Sequence, residues 1–364
     1  MILNNVITSS SKKPVAIKVT AGTYDGLQLN FDNAILFPGL VNSHDHLDFN
    51  LFPQLGNRFY NNYTEWGNYI HQNYKSEIAA VLKVPLELRT QWGLFKNLLC
   101  GVTTVVNHGA YLNISNSPIT VLQTQCIHSV QFDKLWKLKL NNPFKAKQQV
   151  LVHVGEGKDD VAKREIDELI RWNFLRKQVV GVHGVAMSAT QAKKFRALIW
   201  CPQSNFFLLD KTAPVNELKE HTNLLFGTDS TLTSNWSIWD HINTARQTRL
   251  LNDEELYNTL NRNTAQVWTL QNDAHSLVVA KNKDRGNFYN AFYALRPEDI
   301  LLVMHRGNIR LFDEELLGQL TALDMEKFSK VYINTACKYV EGNLAALVAE
   351  IKAWYPEGQF PVTI

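Results

Sequence analysis

Cysteine is scarce in this chain. Its 364 residues hold four, Cys100, Cys126, Cys201 and Cys337, with no Cys-x-x-Cys spacing. That pattern excludes a disulfide framework and reads as reduced thiols in a cytoplasmic protein. Long apolar runs are missing too: none approaches the roughly 18 residues that a bilayer span needs, so no membrane segment is expected. There is no dense block of Lys or Arg, and the balance of 37 basic against 34 acidic residues leaves a formal charge of only +3. Neither nucleic acid nor an anionic membrane is therefore an expected partner. The opening MILNNVITSS has no basic start and no apolar core, so no signal peptide is expected. Without one, the sequons at Asn62, Asn113 and Asn235 carry little meaning. Ser230 and the thiols have no triad-like companions, which rejects nucleophilic catalysis. Internal repeats and low-complexity segments are absent.

What is there is an ordinary globular composition, 45% apolar and 20% charged. Short apolar runs alternate with helical periodicity through the middle. Residues 103–110, 119–130 and 149–157 read as strands, followed by a helix capped at Asp159 or Asp160. VVGVHGVAM is strand-like and leads to a helix capped by Ser188; IWCPQSNFFLL reads as a strand, then come a helix at APVNELKEH and a strand at NLLFGTDST. Alternating βα units with strands apolar on both faces imply α/β architecture and a parallel sheet. Their number over residues 38–273 implies a (β/α)8 TIM-like barrel. The interval from Ile119 to Gln149 is short, so one βα unit is expected to be truncated. Residues 1–37 and 274–315 carry strand patterns and are expected to pair into a small β-sandwich-like domain. Residues 316–364 read as a C-terminal helical extension, helical from Asp324 to Trp354 with a break at Gly342.

The stretch LFPGLVNSHDHLDFN places His44 and His46 one residue apart at the end of an apolar run. Residues i and i+2 of a strand face the same way, so both imidazoles would point together and Asp45 away. An HxH pair alone is weak evidence for a metal. His153 and Glu156 in VHVGE, His183 in GVHGVAM and Asp229 in LLFGTDST change that, because each also falls at the C-terminal end of an expected strand. That end is the active-site mouth of such barrels. Imidazoles and a carboxylate converging there suit Zn²⁺ or a similar divalent ion. This pattern does not by itself separate ligand from acid or base.

In order along the chain, PGLVNSHDH, GVTT, HVGE, VHGVAM, CPQSN and GTDS resemble the amidohydrolase superfamily. The HxxE at His153–Glu156 is similar to its mononuclear branch, with cytosine and guanine deaminases and the triazine/S-adenosylhomocysteine deaminase group. The likeness covers all but the tail. It implies that His44, His46, His153 and Asp229 ligate one divalent metal, zinc by default with iron or manganese as alternatives. It further implies that Glu156 is the general acid/base, that His183 stabilises developing charge, and that Asp229 takes a proton from water. The reaction implied is hydrolysis of a C–N bond, foremost deamination of a small N-heterocycle. The alternatives are hydrolysis of a cyclic amide, as in imidazolonepropionase-like members, and a non-catalytic relative. A homodimer is a habit of the superfamily.

Two departures stand out. The binuclear branch uses a carboxylated lysine on the fourth strand. Lys134, Lys137, Lys139, Lys145 and Lys147 lie in that interval but in a polar setting, which favours one metal. The truncated unit removes a region that often contacts substrate. Substrate-contact candidates are Trp66, in the aromatic loop that also holds Phe52, Arg58, Phe59, Tyr60, Tyr63 and Tyr69, together with His108, His128 and Gln203, with Asn205 beside it. For each, packing against the barrel or a satisfied core position is the competing explanation.

Overall fold

Strands buried on both faces are dominated by apolar residues, and residues 150–154, 179–183 and 197–200 of this chain meet that condition. The computed structural model describes residues 1–364 apart from 12, 21–23 and 271–274. The chain starts with β1 (Ile2–Ile7), β2 (Val15–Lys18) and β3 (Gln28–Pro38). It continues with β4 (Leu40–Asp45), β5 (Val102–Asn107), β6 (Thr120–Gln123), β7 (Gln125–Ser129), β8 (Val150–Val154), β9 (Val179–His183), β10 (Ala197–Trp200) and β11 (Asn223–Phe226). Every residue of β4, β5, β8, β9 and β10 is buried.

The eight strands β4 to β11 pair in parallel, as a three-stranded sheet β4-β5-β6 and a five-stranded sheet β7-β8-β9-β10-β11. The two sheets adjoin at both margins. On one side Thr124 alone separates β6, which pairs with β5, from β7, which pairs with β8. No helix intervenes there, and this is where the sequence is short. On the other side the backbone N–H groups of Thr228 and Asp229 donate to the His44 carbonyl at 3.0 and 3.1 Å. Gly227 permits this approach, because a Cβ there would lie 2.7 Å from the Cβ of His44.

Both ends of the chain enter a separate eight-stranded sheet in the order β15-β16-β14-β13-β12-β3-β1-β2, with β12 at Leu277–Lys281, β13 at Ile300–His305, β14 at Asn308–Asp313, β15 at Phe328–Ile333 and β16 at Ala336–Glu341. Its own core includes Leu3, Leu29, Phe31, Val279, Leu302 and Phe312. The expected boundary at residues 273–274 lies outside the described residues.

Two expectations are corrected. Residues 328–341 are not helical but form the antiparallel hairpin β15–β16, which extends this sheet; Val331, Tyr332 and Ile333 favour strand, and Asn334 takes the left-handed conformation (φ 52°) that a tight turn requires. Only Leu344–Trp354 of the extension is α-helical, and it buries Leu344, Leu347, Val348 and Ile351. The run IWCPQSNFFLL is a strand only to Trp200, since Pro202 opens the helix Pro202–Leu209. Proline at a first helical position loses no hydrogen bond, and a short apolar run does not distinguish the two states.

Three helices follow β4: α1 (Tyr63–Asn73), α2 (Lys75–Leu82) and α3 (Leu86–Leu99). The start of α1 is tied to the turn after β8. Tyr63 N donates to the Glu156 carbonyl at 3.0 Å, Lys158 N to that of Asn61 at 2.9 Å, and the Asn62 amide to Asp159 at 2.5 Å. Among the described residues, no helix is long and apolar enough to cross a membrane.

Candidate active site

The strand ends bring four side chains to one point. The Nε2 of His153 lies 3.2 Å from that of His44 and 3.3 Å from that of His46, and both of the latter lie 3.4 Å from Asp229 Oδ1. Ligands about 2.0–2.1 Å from a tetrahedral ion stand about 3.3–3.4 Å from one another. All four edges match that figure. The protonation pattern agrees. His153 Nδ1 is 2.8 Å from the His128 carbonyl, which can only accept, so the proton is on Nδ1 and the Nε2 lone pair faces inward. Among the described residues, two overlapping groups of side chains have the spacing to hold a metal, His44, His46, His108 and His153, and His44, His153, His183 and Asp229.

Asp45 points away from this cluster, into a buried polar network. Its carboxylate accepts from Asn42, Asn50 and Asn97 and pairs with Lys96 Nζ at 3.1 Å. Lys96 in turn donates to Asn50 Oδ1 at 2.9 Å. The strand that carries His44, with His46 just beyond its end, is thus fastened from behind to α3. The lysines of the 134–147 interval lie outside: Lys139 pairs with Asp133, Lys137 sits over Trp172, and the other three are exposed.

Asp229 and His183 are held by residues of the helix after β10. The second Asp229 oxygen accepts from Ser204 Oγ at 2.8 Å and Thr233 Oγ1 at 3.1 Å, leaving Oδ1 toward the histidines. The Asn205 amide nitrogen donates to His183 Nδ1 at 2.8 Å, which puts the imidazole proton on Nε2. That Nε2 faces Glu156 Oε2 at 3.5 Å. Both His183 (φ 72°) and Asp229 (φ 62°) are in the left-handed region, where non-glycine residues are uncommon and concentrate at functional sites.

Burial sets the charges. It lowers the His46 imidazole to about 4, with the neighbouring His44 adding to the effect, and His183 to about 3. It pushes His108 and His153 well below the usual histidine range. Neutral imidazoles are the form that binds a cation. Burial alone would raise the Asp229 carboxyl, but the His44 hydrogen bond and the neighbouring His46 and His183 imidazoles hold it well below the usual carboxylate range. Glu156 goes the other way: burial first, then the Asp229 charge, raise it well above its ordinary value. Two carboxylates with divergent acidities in one cavity are the arrangement of a base and an acid.

The cavity in front of the cluster has a volume of about 480 Å³. His46, His153, Glu156, His183 and Asp229 line one end; Phe52, Tyr63, Trp66 and His128 are also on its wall. His108 and Gln203 are placed differently. His108 is buried behind the cluster with Nε2 on the Ile127 carbonyl and its ring 4.2 Å from that of His153. Gln203 accepts from Asn235 N at 2.6 Å, outside the wall. In the aromatic loop, Phe59 is exposed, Tyr60 is buried, and Arg58 pairs with Glu65 over the Tyr60 and Tyr69 rings. Sequence reasoning misses Ser204, Lys96 and Glu165, the last a buried carboxylate that accepts from Gly155 N at 2.6 Å and from Tyr63 Oη at 3.4 Å. Ser204 lies inside the CPQSN motif, between the two residues singled out there.

No protein-family model matches the chain, and no curated protein matches its sequence. Solved structures do. The chain resembles a mutant of atrazine chlorohydrolase from Arthrobacter aurescens TC1, complexed with zinc and atraton, at a TM-score of 0.65 and 14% identity over 98% of this chain and 100% of that one. An adenosine deaminase from Xanthomonas campestris with bound zinc gives 0.63 and 15% over 91% and 87%. A guanine deaminase from C. acetobutylicum with guanine in its active site gives 0.61 and 15% over 85% and 99%. At these identities the shared property is the fold.

Proposed function

We propose that this chain is a metal-dependent hydrolase of the amidohydrolase superfamily, in its mononuclear HxxE branch, and that it deaminates a small N-heterocycle. The observation that carries this reading is the set of four edges of 3.2–3.4 Å among His44, His46, His153 and Asp229, with Glu156 and His183 beside it. In this reading those four are the ligands, the parallel strands close into the barrel, and the eight-stranded sheet is its companion domain. A divalent ion held there, zinc first among candidates, supplies a water nucleophile at neutral pH and a Lewis acid for developing charge.

The chain's own groups do the rest. Asp229 receives a proton from the attacking water. Glu156, whose carboxyl burial raises well above its ordinary value, delivers its proton to the ring nitrogen, so that negative charge never accumulates on the ring. His183 donates its Nε2–H toward the oxygen that attacks, and Asn205 keeps it in that tautomer. A C–O bond forms, Asp229 passes the proton it took to the exocyclic amine, the C–N bond breaks to release ammonia, and the remaining O–H proton returns to Glu156 as the ring carbonyl forms.

The test is metal analysis of the purified protein together with ammonia release over a panel of aminoheterocycles. Metal-free protein that gains no activity with Zn²⁺, Fe²⁺ or Mn²⁺ would refute the reading. Ring opening without ammonia would assign the cyclic-amide reaction instead. Glu156→Gln should retain the metal and lose roughly 10²–10⁴ in rate; loss of the metal would make Glu156 a ligand.

A further inference from the structure

The far end of the cavity is built for something apolar. Phe52, Phe132, Ile70, Ile78 and Leu82 line it, contributed by the turn after β4, by the segment after β7 and by α1 and α2. Two wall residues with polar handles, Trp66 and Tyr63, have turned them away, while His71 and Ser230 also line the space. Trp66 spends its only donor on the Leu55 carbonyl at 2.7 Å, and Tyr63 Oη is engaged with Glu165 and the backbone N–H of Gln131. Each therefore presents an apolar ring face to the cavity. Among the described residues, no lysine or arginine lines the space, and the acids that do, Glu156 and Asp229, stand at the histidine end. A carboxylate or phosphate would find no lysine or arginine to pair with there, and burying an unpaired charge costs several kcal/mol.

Size narrows the choice further. An apolar protein cavity of about 150 Å³ is enough to hold a single six-membered ring such as benzene. The space here is about 480 Å³, so a bare ring would leave most of it empty.

We propose that the substrate is an uncharged heterocyclic amine bearing an apolar alkyl or aryl substituent, with the ring at the histidine cluster and the substituent against Phe132, Trp66, Ile78 and Leu82. This inference rests on the deaminase reading and adds the substrate class.

The experiment uses the zinc-loaded full chain and 4-aminopyrimidine, the same ring with butyl, hexyl or benzyl at carbon 2, and the ring with a butanoate chain. Calorimetry reads Kd, and ammonia release reads kcat/KM. Burying each methylene should tighten binding about fourfold until the space is filled. The benzyl and hexyl compounds should thus bind more than tenfold tighter than the bare ring, and the butanoate more weakly than butyl. Leu82 is 48% exposed, so an arginine is tolerated there. Leu82→Arg should reverse the butyl-over-butanoate preference. The proposal is overturned if the bare or carboxylated ring binds as tightly as the alkylated ones, if no compound binds, or if Leu82→Arg leaves the preference unchanged. Tight binding of the alkylated rings with no ammonia from any compound would refute deamination alone. Faster ammonia release from bare or charged rings would refute the substituent pocket alone.

Discussion

At the scale of single residues, the cluster depends on groups that never face the cavity. Glu165 is the clearest case. It is 1% exposed, and burial raises its carboxyl to about 7 even though it accepts the backbone N–H of Gly155, the residue before Glu156. A carboxyl raised in the folded state is harmless at low pH and destabilising once ionised. The penalty therefore appears as pH climbs from the ordinary carboxyl range and is complete above about 7. Its full size is on the order of 3 kcal/mol. Glu165→Gln should accordingly gain stability relative to the wild type between pH 5 and pH 8. Urea midpoints at the two pH values check this, and parallel curves would show that Glu165 ionises freely in the folded protein.

At the scale of elements, α3 and β4 act as one unit through the buried Lys96–Asp45 pair. Removing one partner of such a pair leaves a charge without compensation and costs about 3–5 kcal/mol. Lys96→Met should lower stability by that amount in denaturant unfolding, and adding Asp45→Asn should recover part of it. Strands β8 and β9 are plain in the sequence, because each is a short run dominated by valine with a histidine at or next to its end. The N-caps Asp159 and Ser188 are readable for the same local reason: side-chain oxygens close onto nearby N–H groups. Lys96 is not readable. On sequence alone it looks like one more polar position of an amphipathic helix, and only its partner 51 positions away makes it structural. The hairpin β15–β16 escapes a sequence reading because its strands are half exposed and carry lysines and a glutamate that also suit a helix. The left-handed backbone at His183 and Asp229 leaves no trace in composition or period.

At the scale of the whole molecule, the candidate ligands come from the first, middle and last of the parallel strands or the turns that follow them. An ion that binds only the assembled site stabilises the fold by RT ln(1 + [L]/Kd), about 4 kcal/mol when its free concentration is a thousand times Kd. Zinc-loaded protein should therefore melt several degrees higher than protein stripped by a chelator, with proton competition at His46 setting in only as pH falls towards about 4. Identical melts would deny the site. The hydrogen bonds from Thr228 and Asp229 to His44 have a consequence in time as well as in space. A ribosome delivers His44 and His46 long before Asp229, and two imidazoles alone hold an ion poorly. Tight uptake must wait until nearly two-thirds of the chain has emerged and its two margins have met. Metal retention would thus report that the last seam has closed, and a nascent chain stalled before β11 should leave zinc in solution.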